Sequence, residues 1–250
     1  MRRLFAMTFV AATLSALAAC DGPSVTPPID FEAERFAEGE RLVQNCRETQ
    51  CQLLDLDGAD LEDFTDISDL THVKILMVSY TGFDDLSDIS ALTGLTELHM
   101  RGTGVSDLSG LGAFPNLTLL HASDLDEVTD YSPIGGLSRL TELSVGAVQG
   151  NSISYLSRLS NLKTLLMEFG QIDDLSPLAR MRALETLEIS GMAVSGDLSP
   201  LARIPNLKQL SLYDIAYFGE GGFFDLMQPI EDALRSRGVE VSNTAAVIVC

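Results

Sequence analysis

His99 and His121 stand 22 residues apart, with Glu97, Arg101 and Asp124 close by in the chain. Imidazoles beside carboxylates can exchange protons or hold a transition metal. No third ligand falls at a fixed place, however, and Arg101 repels a cation, so the pair reads as solvated surface rather than a metal centre or an acid–base couple. Asp63, Asp85, Asp107, Asp130, Asp174 and Asp197 recur at a similar interval. Stacked carboxylate oxygens are what calcium accepts, yet an acid ahead of a helical turn also caps it, and capping is the expectation. Cys46 and Cys51 are not accompanied by a CxxC or CxxH spacing, so zinc is not predicted. GxSxG, HExxH, P-loop and dinucleotide-binding fingerprints are missing, and the sequence predicts no enzyme, no metal and no cofactor.

The charge balance narrows the partners further. With 36 Asp plus Glu against 16 Lys plus Arg, the net charge is -20. Nucleic acid is excluded on that ground, because its affinity rests on cations that displace counterions. An apolar share of 46% excludes disorder. Leucine alone supplies 39 residues, which points to a core built from one repeated side chain.

Residues 1–19 read as a secretory signal, with Arg2 and Arg3 ahead of an apolar stretch from Leu4 to about Ala16. That stretch is too short to cross about 30 Å of hydrocarbon. Leu17-Ala18-Ala19-Cys20 resembles the bacterial lipobox, in which cleavage before the cysteine exposes it to acylation. The resemblance implies a lipid on Cys20; cleavage among the alanines with Cys20 incidental is the alternative. Several acyl chains, at about 0.8 kcal/mol per buried CH₂, anchor a protein stably. Asp21 resembles the inner-membrane retention signal of enteric lipoproteins. Residues 20–29 contain DGPSVTPP and read as a flexible tether.

The remainder repeats. The pattern LxxLxL recurs at Leu95/Leu98/Met100, Leu117/Leu120/Ala122, Leu140/Leu143/Val145, Leu162/Leu165/Met167, Leu184/Leu187/Ile189 and Leu207/Leu210/Leu212. Substituted copies stand at Val73/Leu76/Val78 and Cys51/Leu54/Leu56. First positions are therefore separated by 22 or 23 residues throughout, a period that marks a solenoid. The second half of each unit spaces apolar residues by three, as in Ile172, Leu175, Leu178 and Met181, which suits a tight helical turn. Ser132-Pro133, Ser176-Pro177 and Ser199-Pro200 put a capping serine before a proline that has no N–H to leave unpaired. Each unit is thus a strand, a bend and a helical turn that can bury its leucines only against its neighbours.

Over residues 51–216 the chain resembles the leucine-rich repeat family, specifically its 22-residue internalin-like class, whose units read LxxLxLxxNxIxDLSPLxxL. The resemblance implies a right-handed α/β solenoid with a parallel β-sheet on the concave face and short helical turns on the convex face. The family's asparagine at the ninth position is missing; Ala59, Thr81, Thr103, Leu125, Val148, Gly170, Met192 and Ile215 stand there. Backbone groups or water must then satisfy the bends, and looser bends are expected. Residues 30–50 predict an amino-terminal cap helix with Asp30 at its start. Residues 217–250 predict a carboxy-terminal cap, with a helix over 223–237 that stops at Gly238 and a last strand at Val239-Glu240-Val241. A Cys46–Cys51 disulfide resembles the amino-terminal caps of extracellular repeat proteins and is implied by that likeness. Cys250 is left free or intermolecular.

In this register the third, fifth and seventh positions of each unit face the concave side. They and the adjoining bends offer Met77, Tyr80, His99, Arg101, His121, Leu166, Glu168, Phe169, Glu188 and Tyr213 as partner-contact residues, anchors among Ser, Thr and Glu. The expected protein is a lipid-anchored, non-catalytic module of the bacterial cell envelope that holds an unknown protein or peptide. It would sit on the periplasmic side of the inner membrane or at the outer membrane. An assembly component that pairs through Cys250 or a solenoid edge is the alternative, since fold alone does not decide function.

Overall fold

Every unit carries a leucine at its fourth position, and the fold stacks these leucines in one row. The computed structural model describes residues 31–148, 153–218 and 222–244. Its strands are β1 (Leu53–Asp55), β2 (Ile75–Met77), β3 (Glu97–His99), β4 (Leu119–Ala122), β5 (Glu142–Val148), β6 (Thr164–Ile172), β7 (Thr186–Val194), β8 (Gln209–Tyr213), β9 (Ala216–Tyr217) and β10 (Glu240–Thr244). Strands β1 to β8 pair in chain order, all parallel; β10 follows beside β8, and β9 pairs with the end of β7. Leu54, Leu76, Leu98, Leu120, Leu143, Leu165, Leu187 and Leu210 are successive register partners, and each is at most 2% exposed. Burying one leucine contributes roughly 1.5–3 kcal/mol. That gain exists only when the next unit is in place, so no unit is stable alone.

A backbone rail runs alongside this row. Lys74 N–H donates to the Gln52 carbonyl at 2.8 Å, Thr96 to Lys74 at 2.8 Å, and the step repeats to Glu240 and Lys208 at 2.8 Å. The convex side is made of 3₁₀ turns such as Ser132–Gly136, Ser176–Arg180 and Ser199–Arg203. The aspartate row caps these turns as expected, but the serines do not: the acceptor is the aspartate two residues earlier, and the serine donates to it. Asp130, Asp174 and Asp197 each accept the serine N–H on one carboxylate oxygen at 2.8 Å and its hydroxyl on the other. Asp63, Asp85 and Asp107 make the same N–H contact with Thr65, Ser87 and Ser109. Bonds from the serine N–H, and next its hydroxyl, hold the Asp130 and Asp174 carboxyls below the usual carboxylate range. The aspartate row is therefore a set of caps, with at least one oxygen of each carboxylate engaged.

The bends are hydrogen-bonded rather than loose. Thr81 and Thr103, at the family's asparagine position, donate their hydroxyls to the Val78 and Met100 carbonyls at 2.6 and 2.9 Å. In later units β6 and β7 continue through that position, with Gly170 opposite Met192 and Ile172 opposite Val194. Asparagine amides act instead on the opposite edge, where Asn116, Asn161 and Asn206 donate to the carbonyls of Thr93, Ser138 and Arg182.

Helix α1 (Phe31–Thr49) caps the first unit and buries Val43 and Cys46. Arg35 fastens it, reaching the carbonyls of Gly58, Ala59 and Tyr80 and the Asp60 carboxylate at 3.0–3.3 Å. A disulfide joins Cys46 to Cys51. Helix α2 (Phe223–Ser236) covers the last turn and leads through Gly238 (φ 80°) into β10, so the expected helix and strand are both present, the strand extending to Thr244. Asp30, Cys20 with the rest of the signal and tether, and Cys250 lie outside the described residues. Among the described residues no helix is long and apolar enough to cross a membrane.

Leu120→Ala, in the middle of the leucine row, should lower the unfolding free energy by about 2–5 kcal/mol. Urea denaturation measures this, and a loss under about 1 kcal/mol would contradict the packing described.

Candidate functional site

Fifth-position residues of neighbouring strands are direct partners, so β2, β3 and β4 set Met77, His99 and His121 side by side. The two imidazoles meet edge to face, with ring centroids 4.6 Å apart and planes at 82°. His121 Nε2 lies 3.3 Å from Glu142 Oε1, and His99 Nε2 lies 3.9 Å from Glu97 Oε2. Partial burial, reinforced by His121, pushes His99 below its ordinary value of 6.5, while Glu97, Asp57 and Glu142 oppose the shift. His99 is therefore a neutral ring at neutral pH. Among the described residues, no cluster of three ligand atoms includes either ring.

Arg101 Nε binds Asp124 Oδ2 at 2.8 Å, and its Nη1 lies 3.4 Å from Glu168 Oε2. Arg101 and Glu168 belong to units three apart. The seventh positions between them are Ser123 and Gly146, small enough for the guanidinium to cross β4 and β5. The Ser123 hydroxyl is buried without a hydrogen-bond partner among the described residues. Farther along, Leu166 is opposite Glu188 and Ser190 is opposite Tyr213. The Glu188 side chain makes no hydrogen bond or ion pair among the described residues, while its backbone is paired within the sheet. The strand positions facing this side carry the carboxylates of Asp55, Asp57, Glu97, Glu142, Glu168 and Glu188. Arg101 is the one permanent cation in those positions, and two carboxylates already engage it.

Tyr80 and Phe169 stand elsewhere. Both occupy the eighth position with φ of 58°, Tyr80 on the bend after β2 and Phe169 inside β6, where the pairing with β7 skips it. They are 58% and 50% exposed. Each ring lies over the glycine one unit on: a Cβ added to Gly102 would come 2.6 Å from the Tyr80 ring, and one added to Gly191 would come 2.9 Å from Phe169. These aromatics form the rim of the concave face rather than its floor. Two residues that sequence reasoning passed over also matter. Asp60, only 8% exposed, accepts from Leu61 N–H, Gly82 N–H and Arg35, and His72 lies against the Cys46 sulfur at 3.8 Å. Their partners Arg35 and Cys46 come from α1, outside the repeats, so the period gave no signal for them. A separate apolar cleft of about 580 Å³, lined by Leu198, Ala202, Tyr217, Leu226, Pro229 and Ile230, lies beside α2.

Gly102→Ala should destabilise the fold, because its φ of 63° disfavours any Cβ and the Tyr80 ring blocks it. Adding Tyr80→Ala removes the collision but not the backbone strain, so the double variant should recover part of the loss in thermal denaturation. The pH behaviour follows from His99. The folded state resists a proton that the unfolded chain takes up near 6.5, so this contribution is fully present above 6.5 and is lost as pH falls through the lower folded value. Ring NMR should place His99 below 6.5, and His99→Gln should flatten the decline in stability on acidification. A measured value at or above 6.5 would contradict the partly buried edge-to-face pair.

The chain is similar to solved leucine-rich repeat structures. It matches an internalin (inlF) of Listeria monocytogenes at 25% identity and a TM-score of 0.61, over 76% of this chain and 53% of that one. Internalin C2 (inlC2) of the same species matches at 25% identity and a TM-score of 0.55, over 75% of each chain. A leucine-rich repeat protein of Leptospira interrogans matches at 18% identity and a TM-score of 0.59, over 76% of this chain and 48% of that one. The chain thus spans about half the length of the first and third of these proteins. No family model and no curated protein matches it. With its open parallel sheet and 3₁₀ turns, the chain has the fold of leucine-rich repeat proteins.

Proposed function

We propose that this is a lipid-anchored leucine-rich repeat protein of the bacterial cell envelope, which holds a protein or peptide on its concave sheet without catalysing a reaction. The observation that carries the reading is the concave face itself, where Met77, Leu166 and Tyr213 stand as apolar anchors among carboxylates. A partner suited to it brings cationic side chains to those carboxylates and apolar ones to the anchors. Such binding weakens with salt, since exposed charges are screened over about 10 Å at 0.1 M. The Leu17-Ala18-Ala19-Cys20 stretch supports the anchor, with Cys20 as the acylated residue. Edge-to-edge assembly is the second reading, favoured by β10, whose outer edge has no strand partner among the described residues.

Crosslinking in intact cells tests the recognition reading. Glu188→Lys combined with Tyr213→Ala should sharply reduce capture of the partner, whereas Asp130→Asn on the convex side should leave it unchanged. Equal capture by all three proteins would remove the concave face from consideration, and capture only of further copies of this chain would favour assembly. Cys20→Ser should release the protein from the membrane fraction; a variant still sedimenting with membranes would refute the lipid anchor.

A further inference from the structure

Away from the concave face, the carboxy-terminal part of α1 meets the loop before the second repeat. Cys46 and Cys51, together with His72, place one sulfur or nitrogen each within 4.8 Å of the others. Cys46 Sγ and His72 Nε2 are 3.8 Å apart. We propose that when the Cys46–Cys51 bond is reduced, these three side chains bind a borderline-soft divalent cation of the zinc class. This goes beyond recognition at the concave face and does not depend on it.

The spacing fits that chemistry. Zinc–sulfur bonds of about 2.3 Å and zinc–nitrogen bonds of about 2.0–2.1 Å at tetrahedral angles put sulfur and nitrogen about 3.6 Å apart and two sulfurs about 3.8 Å apart. The Cys46–His72 separation of 3.8 Å is already close to this, and on reduction the two cysteine side chains would have to rotate apart to open the sulfur pair. The backbone around the ligands is held already. Cys46 is 1% exposed in the core under α1, and Cys51 N–H donates to its carbonyl at 3.2 Å. His72 precedes the fully buried Val73, and Asp69, three residues before it, is tied to Arg47 at 3.0 Å. Cys51 and His72 are partly exposed, which leaves a fourth position open to water. A cysteine pair over four intervening residues, with its histidine 21 residues later, matches no linear finger spacing; the return of the chain through one repeat supplies the third ligand.

The electron and proton count closes. A dithiol reductant passes two electrons and two protons to the sulfur–sulfur bond and ends as its own disulfide. The cation then displaces both thiol protons and binds two thiolates and a neutral imidazole. The amino-terminal cap is thereby cross-linked in either redox state, by a covalent bond or by a metal.

The test uses the full chain with Cys20→Ser and Cys250→Ser, reduced with a dithiol that is then removed without oxygen. Titration with Co²⁺ should give the intense visible bands of tetrahedral thiolate coordination, saturate at a single equivalent and be bleached by Zn²⁺; the oxidised protein should give none. Because loss of even an outer partner of a metal ligand costs about 10–100-fold in affinity, His72→Ala should weaken binding at least that much. His72→Cys should restore it, and Cys46→Ser should abolish it. Far-UV circular dichroism of the oxidised His72 variants checks that they fold, and His72→Gln carries the comparison if His72→Ala does not. Reduced protein without visible bands, or bands unaffected by loss of His72, would overturn the proposal.

Discussion

The row of leucines at position four is the constraint that the other features obey. Each leucine is the register partner of the one before it, from Leu54 to Leu210, and slipping one strand by a single residue would turn its leucine outward. Register being set, any residue type that recurs at one position becomes a column with steps of about 4.8 Å. The position-two backbone rail, the aspartate caps and the His99–His121 contact are all such columns. What differs among them is whether stacking like groups is favourable. Carbonyls and N–H groups alternate along the rail and gain from it; aspartates tolerate it because each carboxylate is satisfied within its own unit by a serine or threonine.

The bends show the cost of closing each coil. The eighth position is left-handed at Gly58, Gly102 and Gly191, and also at Tyr80, Asp124, Phe169 and Asp214, where a side chain makes that conformation less favourable by roughly 1–2 kcal/mol. At three of the four non-glycine positions the side chain has a visible compensation. Asp124 binds Arg101, and Tyr80 and Phe169 lie against the glycines of the following units. Each aromatic at the rim is thus followed by a glycine for a steric reason: a second side chain at Gly102 or Gly191 would occupy the space of the ring. The same residues that relieve the bend also offer exposed aromatic surface beside the concave face.

The period made the architecture legible. Strand positions, turns and the inward leucines follow from the spacing, because every unit repeats the same burial pattern, whereas the two caps follow from local helix start and stop signals. Contacts that cross units without repeating were not legible. Arg101 reaching Glu168 requires small residues at Ser123 and Gly146, in two intervening units, and only the stacked structure shows that they are aligned. Asp60 and His72 escaped notice for a related reason, since their partners Arg35 and Cys46 come from α1, whose docking is outside the period. Tyr80 and Phe169 were recognisable as exposed, but their place on the rim depends on backbone angles that composition does not report.

Magnitudes decide how far binding at the concave face can disturb the fold. The Arg101 contacts with Asp124 and Glu168 are partly solvated, and exposed pairs of this kind are worth about 0–1 kcal/mol. A cation offered by a partner competes with Arg101 for Glu168 on nearly even terms, so the arginine can be released at little expense. The leucines one residue away on the same strands each represent roughly 1.5–3 kcal/mol and are shared between units. Rearranging the concave side chains therefore leaves the register intact, and under the proposed function the sheet would offer a rigid backbone whose charge pattern adjusts to a partner.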